Sequence, residues 1–269
     1  MGILLLPTMK WLSQRKTEAF LQHKQGSQRL TFMRKTVWIL LLLALQAALS
    51  AQNSSVIDSL HHAFDDLLMR HVSADGRVDY LAIKQEHHLL KAYLQQLAAD
   101  VPDDSAPKSV AMAYWINAYN AFTIDLIVRN YPLRSIMQLD KGKTWDVKRI
   151  QLGGKKYSLN QIEHELLRKK WPDPRIHFAL NCAAQSCPPL YNRAYTATQL
   201  DTQLDERTRL FINHSGYNQL TGPTLKLSRL FEWYATDFGD LPSFLNKYAQ
   251  KEIKTKKISY LEYNWDLNR

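Results

Sequence analysis

Residues 108–130 constrain the fold most. The run KSVAMAYWINAYNAFTIDLIVRN predicts one long helix, stopped by Pro132. Its middle, Tyr114-Trp115-Ile116-Asn117-Ala118-Tyr119-Asn120-Ala121-Phe122, is apolar and aromatic except for two asparagines. A helix of that composition belongs in a core. Asn117 and Asn120 are three apart, so they project from one side. Asparagine is a mediocre helix former, because its side chain competes for backbone hydrogen bonds. A buried amide left unpaired costs about 1–3 kcal/mol. Both side chains therefore need partners. Either they tie down neighbouring loops, or they orient a catalytic group or a substrate.

Around this helix the pattern predicts further helices over residues 55–69, 80–98, 198–213 and 241–250, and a short one over 229–234 capped by Ser228. A hairpin is expected over 150–159 around Gly153-Gly154. Ser158 then starts a helix that carries Ile162, Leu166 and Leu167 and ends before Pro172. Strands are expected at 176–180, 224–227 and 258–263. Helices outnumber strands and the strands are short. The fold class is α+β, a single, mainly helical domain with a small sheet of short strands.

Residues 1–51 stand apart. Met33-Arg34-Lys35 forms a basic start, residues 37–45 an apolar run, and Ala47-Ala48-Leu49-Ser50-Ala51 a small-residue cleavage region. That is the layout of a secretory signal peptide. The run is shorter than the roughly 20 residues of a membrane span, so membrane contact is expected only through this segment if it stays uncleaved. Met33 is the expected true start, with residues 1–32 a basic extension. Domain organisation is therefore 1–51 as extension and signal, and 52–269 as one domain. The protein is expected to be exported, to a periplasm or to the medium. Of 35 Lys/Arg and 25 Asp/Glu, residues 1–51 hold 7 and 1, which leaves 28 against 24 for the rest. That balance does not call for nucleic acid.

The chemistry concentrates in residues 175–189, RIHFALNCAAQSCPP, which hold His177 and the chain's two cysteines, Cys182 and Cys187. A thiol nucleophile needs a base or positive charge to lower its pKa from about 8.5. His177, or His164 from the preceding helix, is a candidate for that role, with Glu163, Asn117 or Asn120 orienting the imidazole. If residues 176–180 form a strand, His177 and Cys182 point to opposite faces, and a direct pair requires the strand to end near Asn181. Glu163 borders the buried side of its helix, and Arg168 lies within ion-pair reach of Glu165 and His164 on the helix surface.

Five spaced blocks resemble one family. They are Tyr114-Trp115-Ile116-Asn117-x-Tyr119-Asn120; Ile162-Glu163-His164-x-x-Leu167-Arg168; Asp173-Pro174-Arg175-x-His177-Phe178-Ala179-Leu180-x-Cys182; Leu227-Ser228-x-x-Phe231-x-Trp233-Tyr234-x-x-Asp237-Phe238; and Tyr263-Asn264-Trp265-x-Leu267-Asn268. Together they look like the domain of unknown function 547, over about residues 78–268. The resemblance implies no particular reaction. It implies that His177 and Cys182 share a block, and that Cys187 carries less of the shared function.

Three functions follow from the residues. The first is a cysteine-dependent hydrolase or acyl/amide transferase with Cys182 as nucleophile. The second is a non-catalytic exported binding or structural domain, pinned by a Cys182–Cys187 disulfide. The third is a thiol redox or metal role. The cysteine and histidine spacing matches no usual zinc pair, and no phosphate-loop, dinucleotide, zincin or nucleophile-elbow motif is present. No cofactor and no metal is therefore expected, and the expected partner is an unidentified small molecule or peptide.

Overall fold

The long central helix is almost entirely buried, as its composition demands. A computed structural model describes residues 58–255 and 257–269, together with the helical positions Trp38, Leu40, Leu41, Ala44 and Leu45. By contact the chain divides into Met1–Gln52 and Asn53–Arg269, and the elements below belong to the second unit. Apart from those helical positions, the expected signal segment, the Met33 start and the cleavage region lie outside the described residues.

Helices α1 (His62–His71), α2 (Tyr80–Gln85), α3 (His87–Ala99) and α4 (Lys108–Asn130) come first. Helices α2 and α3 were expected as one. They part at Glu86, whose carboxylate is held outside the helix axis by Arg70 at 2.7 Å and His71 at 3.0 Å. Helix α4 packs against α2 and α3, and the linker at 100–107 runs between α3 and α4.

A hairpin follows, β1 (Ile150–Leu152) antiparallel to β2 (Lys155–Tyr157), with Gly153 and Gly154 both at positive φ in the turn. Next, Gln161–Arg168 forms a π-helical segment rather than an α-helix. It is entered as a reciprocal cap: the Gln161 amide donates to the Ser158 hydroxyl at 3.1 Å, and the Ser158 amide donates to Gln161 Oε1 at 3.2 Å.

The strand expected at 176–180 is instead the 3₁₀ segment Pro174–Phe178. Apolar alternation suggested a strand, but Asp173-Pro174 is a helix start. The Asp173 carboxylate accepts the Arg175 amide at 3.1 Å, and proline sits where its missing N–H is not needed.

The remainder comprises α5 (Leu200–Asn213), β3 (Leu225–Leu227), α6 (Leu230–Trp233), α7 (Ala235–Phe238), α8 (Leu241–Tyr248) and β4 (Ile258–Tyr260). Strand β3 pairs with β4 in parallel, with Leu225 opposite Ile258. The short strands thus form two separate pairs in an otherwise helical, α+β molecule.

Two apolar clusters hold the body together. The larger surrounds α4 and takes in Ile176, Ala179 and Leu180. The smaller gathers Phe211, Leu225, Leu227, Phe231, Phe238 and Leu245, and takes in Phe178. Segment 176–180 therefore faces both clusters at once. The cysteine turn that follows it is anchored on either side.

Candidate active site

Cys182 follows directly on that seam. Asn181 sets the turn. Its backbone N–H donates to Asn120 Oδ1 at 2.9 Å, its Oδ1 accepts the Ala183 amide at 2.9 Å, and its Nδ2 donates to the Pro188 carbonyl at 2.9 Å. Tyr80 and Asn268 support it from behind: Tyr80 donates to Asn268 Oδ1 at 2.7 Å, and Asn268 Nδ2 donates to Asn181 Oδ1 at 3.3 Å. So constrained, Ala183 adopts a φ of 65°. The left-handed region costs a residue with a Cβ roughly 1–2 kcal/mol. Such strain persists only where surroundings over-determine it, and it often marks a functional turn.

Polar groups stand around the Cys182 sulfur. The Tyr263 hydroxyl lies 3.1 Å from Sγ. Beside it, the Cys187 sulfur accepts the Cys182 backbone N–H at 2.9 Å and directs its own S–H at the Leu180 carbonyl at 3.7 Å. Burial works against a thiolate here, but the polar groups around the sulfur outweigh it and hold the Cys182 thiol below the ordinary range. Cys187 is opposite in character: burial and the neighbouring Cys182 sulfur push it well up. Both cysteines are free thiols, Cys182 half-buried and Cys187 buried.

Cys182 opens on a cavity of about 180 Å³. At about 30 Å³ per water, that is room for roughly six waters, so it admits the reacting end of a ligand rather than a whole polymer. Trp145, Trp233, Trp265 and Tyr263 form one wall. Trp265 contacts all three others, with ring centroids 5.8 Å from Trp145, 6.0 Å from Trp233 and 4.5 Å from Tyr263. Glu163, His177 and Tyr234 line the same cavity.

His177 is fixed by an acid. Its Nε2–H donates to Asp237 Oδ2 at 2.7 Å, and its ring stacks on Tyr234 with centroids 4.0 Å apart. Arg168 grips Asp237 through Nε and Nη2, each at 2.7 Å. His177 and Arg168 together hold the Asp237 carboxyl far below the usual carboxylate range. Arg168 Nη1 also donates to His164 Nδ1 at 2.9 Å. Arg168 thus pairs with Asp237 across the fold, not with Glu165 on its own helix. Glu163 is buried, and its Oε1 accepts the Tyr234 hydroxyl at 2.6 Å.

Of the residues singled out in the sequence, Cys182, His177 and Glu163 meet at the cavity. His164 sits behind Arg168 and does not line it. Asn120 clamps the cysteine turn from below, its Nδ2 donating to the Ala179 carbonyl at 2.9 Å while Oδ1 takes the Asn181 amide. Asn117 does the same for a different loop, exchanging bonds of 2.7 and 2.9 Å with the Tyr195 carbonyl and amide. Both asparagines therefore spend their amides on backbone.

One expectation needs correcting. Among the described residues no histidine nitrogen hydrogen-bonds to Cys182 Sγ, because His177 gives its Nε2–H to Asp237 and His164 takes its bond from Arg168. Among the described residues the sulfur's side-chain hydrogen bond is to Tyr263, at 3.1 Å. Tyr263, Tyr234 and Asp237 stand in the two C-terminal blocks of the sequence, but nothing in their local pattern assigns them to a thiol some 50 to 80 residues away.

Among the described residues no group of three or more His, Cys, Asp or Glu side chains is placed to hold a metal ion. A family model described as protein of unknown function, DUF547, matches residues 104–212. That span contains Asn117, Asn120, Glu163, His164, His177 and both cysteines, whereas Tyr234, Asp237 and Tyr263 lie beyond it. No curated protein and no solved structure matches the chain.

Proposed function

We propose that this chain is a cysteine-dependent enzyme of the acyl-transfer class, a hydrolase or an acyl/amide transferase, with Cys182 as nucleophile. The observation that carries the reading is the Cys182 sulfur itself. It faces an aromatic-walled cavity from a strained turn, with the Tyr263 hydroxyl 3.1 Å away. The polar groups around the sulfur lower the thiol's pKa and so favour the attacking thiolate without a histidine bonded to it. Attack on an acyl carbon forms the S–C bond and pushes the carbonyl electron pair onto oxygen. Collapse expels the leaving group, which takes a proton from the site. Tyr263, in contact with Sγ, is the nearest donor. Water or an acceptor amine then takes the acyl group from sulfur.

The experiment is acyl trapping. The full chain is incubated with a series of small aryl esters and thioesters, quenched in acid, and mapped by mass spectrometry. The expected product is an acyl group on Cys182, absent from Cys182→Ser. If Cys182 labels rapidly with iodoacetamide yet accepts an acyl group from none of them, acyl transfer is wrong. The cavity would then be read as a binding site for a small ligand or a peptide end, a second reading favoured by its aromatic wall.

A further inference from the structure

A second thiol, the buried Cys187, stands beside the nucleophile. It is not a remote core cysteine. Its sulfur accepts the Cys182 backbone N–H at 2.9 Å. The loop between them is already folded back on itself. The Cys187 amide donates to the Ala184 carbonyl at 3.1 Å, and the Gln185 and Ser186 amides donate to the Asp266 and Asn264 carbonyls at 2.8 and 3.2 Å. Closing such a loop as a disulfide asks for Cα atoms about 4.4–6.8 Å apart. The Cys187 sulfur, 2.9 Å from the Cys182 backbone nitrogen, sets the two residues side by side.

The two thiols also differ in access. Both line the cavity, Cys182 half-buried and Cys187 the less accessible at 6% exposed. In a dithiol of this kind the outer sulfur attacks and the inner one resolves.

Resting on the reading of Cys182 as the reactive thiolate, we propose that Cys182 and Cys187 form an attacking and resolving pair. The pair gives the same cavity a second activity, thiol–disulfide exchange with a small disulfide. The steps balance. The Cys182 thiolate attacks one sulfur of the substrate disulfide, whose S–S bond breaks and releases a thiolate that takes up a proton. Cys187 then gives up its proton and attacks the Cys182 sulfur of the mixed disulfide, releasing the second substrate thiol. Two protein thiols are oxidised to one disulfide, and one substrate disulfide is reduced to two thiols. No metal or further cofactor enters the balance. While oxidised, the pair would hold the acyl-transfer nucleophile out of action.

The test uses the reduced full chain and oxidised glutathione, with acid quenching and peptide mapping over time. The expected result in the natural chain is an internal Cys182–Cys187 disulfide as the main product, with little glutathione on either cysteine. Cys187→Ser should instead accumulate glutathione on Cys182 as its main product, and Cys182→Ser should leave Cys187 unmodified. The proposal is overturned if the natural chain stops at the glutathione adduct, or if Cys187 still alkylates after unfolding in denaturant. The mapping of the natural chain decides this even where a variant folds poorly. Failure here leaves acyl transfer standing if Cys182 still reacts with iodoacetamide and acyl donors. A Cys182 inert to iodoacetamide, acyl donors and glutathione alike overturns both readings.

Discussion

Tyr263 does for Cys182 what a histidine was expected to do, by another route. A histidine would take the thiol's proton, whereas the Tyr263 hydroxyl, 3.1 Å from the sulfur, shares a hydrogen bond with it and contributes to lowering its pKa. The reactivity of such a thiol falls as pH drops through its lowered pKa. Tyr263→Phe removes one donor and keeps the ring that stacks near Trp233 and Trp265. The expected outcome is an upward shift in the pH midpoint of iodoacetamide labelling at Cys182, toward the ordinary thiol value of about 8.5, with the fold intact. A midpoint unchanged by this substitution would leave Tyr263 as only a wall.

On helix α4 two asparagines three residues apart share a side of the helix but serve different loops. Asn117 holds Tyr195, and Asn120 holds Ala179 and Asn181. Truncating either to alanine strands a buried carbonyl and a buried amide, so each should lose about 1–3 kcal/mol in urea denaturation. Their effects on the thiol should differ. Asn120→Ala frees the turn that carries Cys182 and should slow alkylation at neutral pH, whereas Asn117→Ala should leave the labelling rate near that of the natural chain. Equal effects on labelling would mean that the turn is held by Asn181 and Asn268 alone. The sequence showed that these amides were buried and needed partners. It could not show which backbone they would meet, since both partners lie 59 to 78 residues away. The 3₁₀ segment at Pro174–Phe178 was legible in Asp173-Pro174, but the apolar alternation after it carried the opposite message.

Across the molecule, the Arg168–Asp237–His177 group joins three separate segments. Arg168 belongs to the π-helical segment packed on α4, Asp237 to α7 beside the smaller cluster, and His177 to the seam that faces both. Because folding depresses the Asp237 pKa, its contribution is present above the ordinary carboxylate range near pH 4 and is lost as pH falls below it. Asp237→Asn should therefore lower stability by about 1–2 kcal/mol at neutral pH, a modest figure because water screens a part-exposed pair. The gap between natural chain and variant should close on acidification below about pH 4. Chemical denaturation at neutral and acid pH measures both. A gap that stays constant with pH would remove the carboxylate's charge from the account.

What the sequence determined by itself was everything that depends on local pattern. The apolar length of residues 108–130 dictates a buried helix, short strands among many helices dictate an α+β body, and Cys182 beside His177 marks where chemistry is available. Tertiary structure alone decided which groups share the cavity. Tyr263 reaches Cys182 from 81 residues away, and Asp237 takes His177 from 60. Hydrogen-bond distances of about 3 Å are set by how the two apolar clusters meet at the seam, and no spacing along the chain encodes that meeting. The identity of the thiol's partner was therefore a property of the fold, and the presence of a thiol in need of one was a property of the sequence.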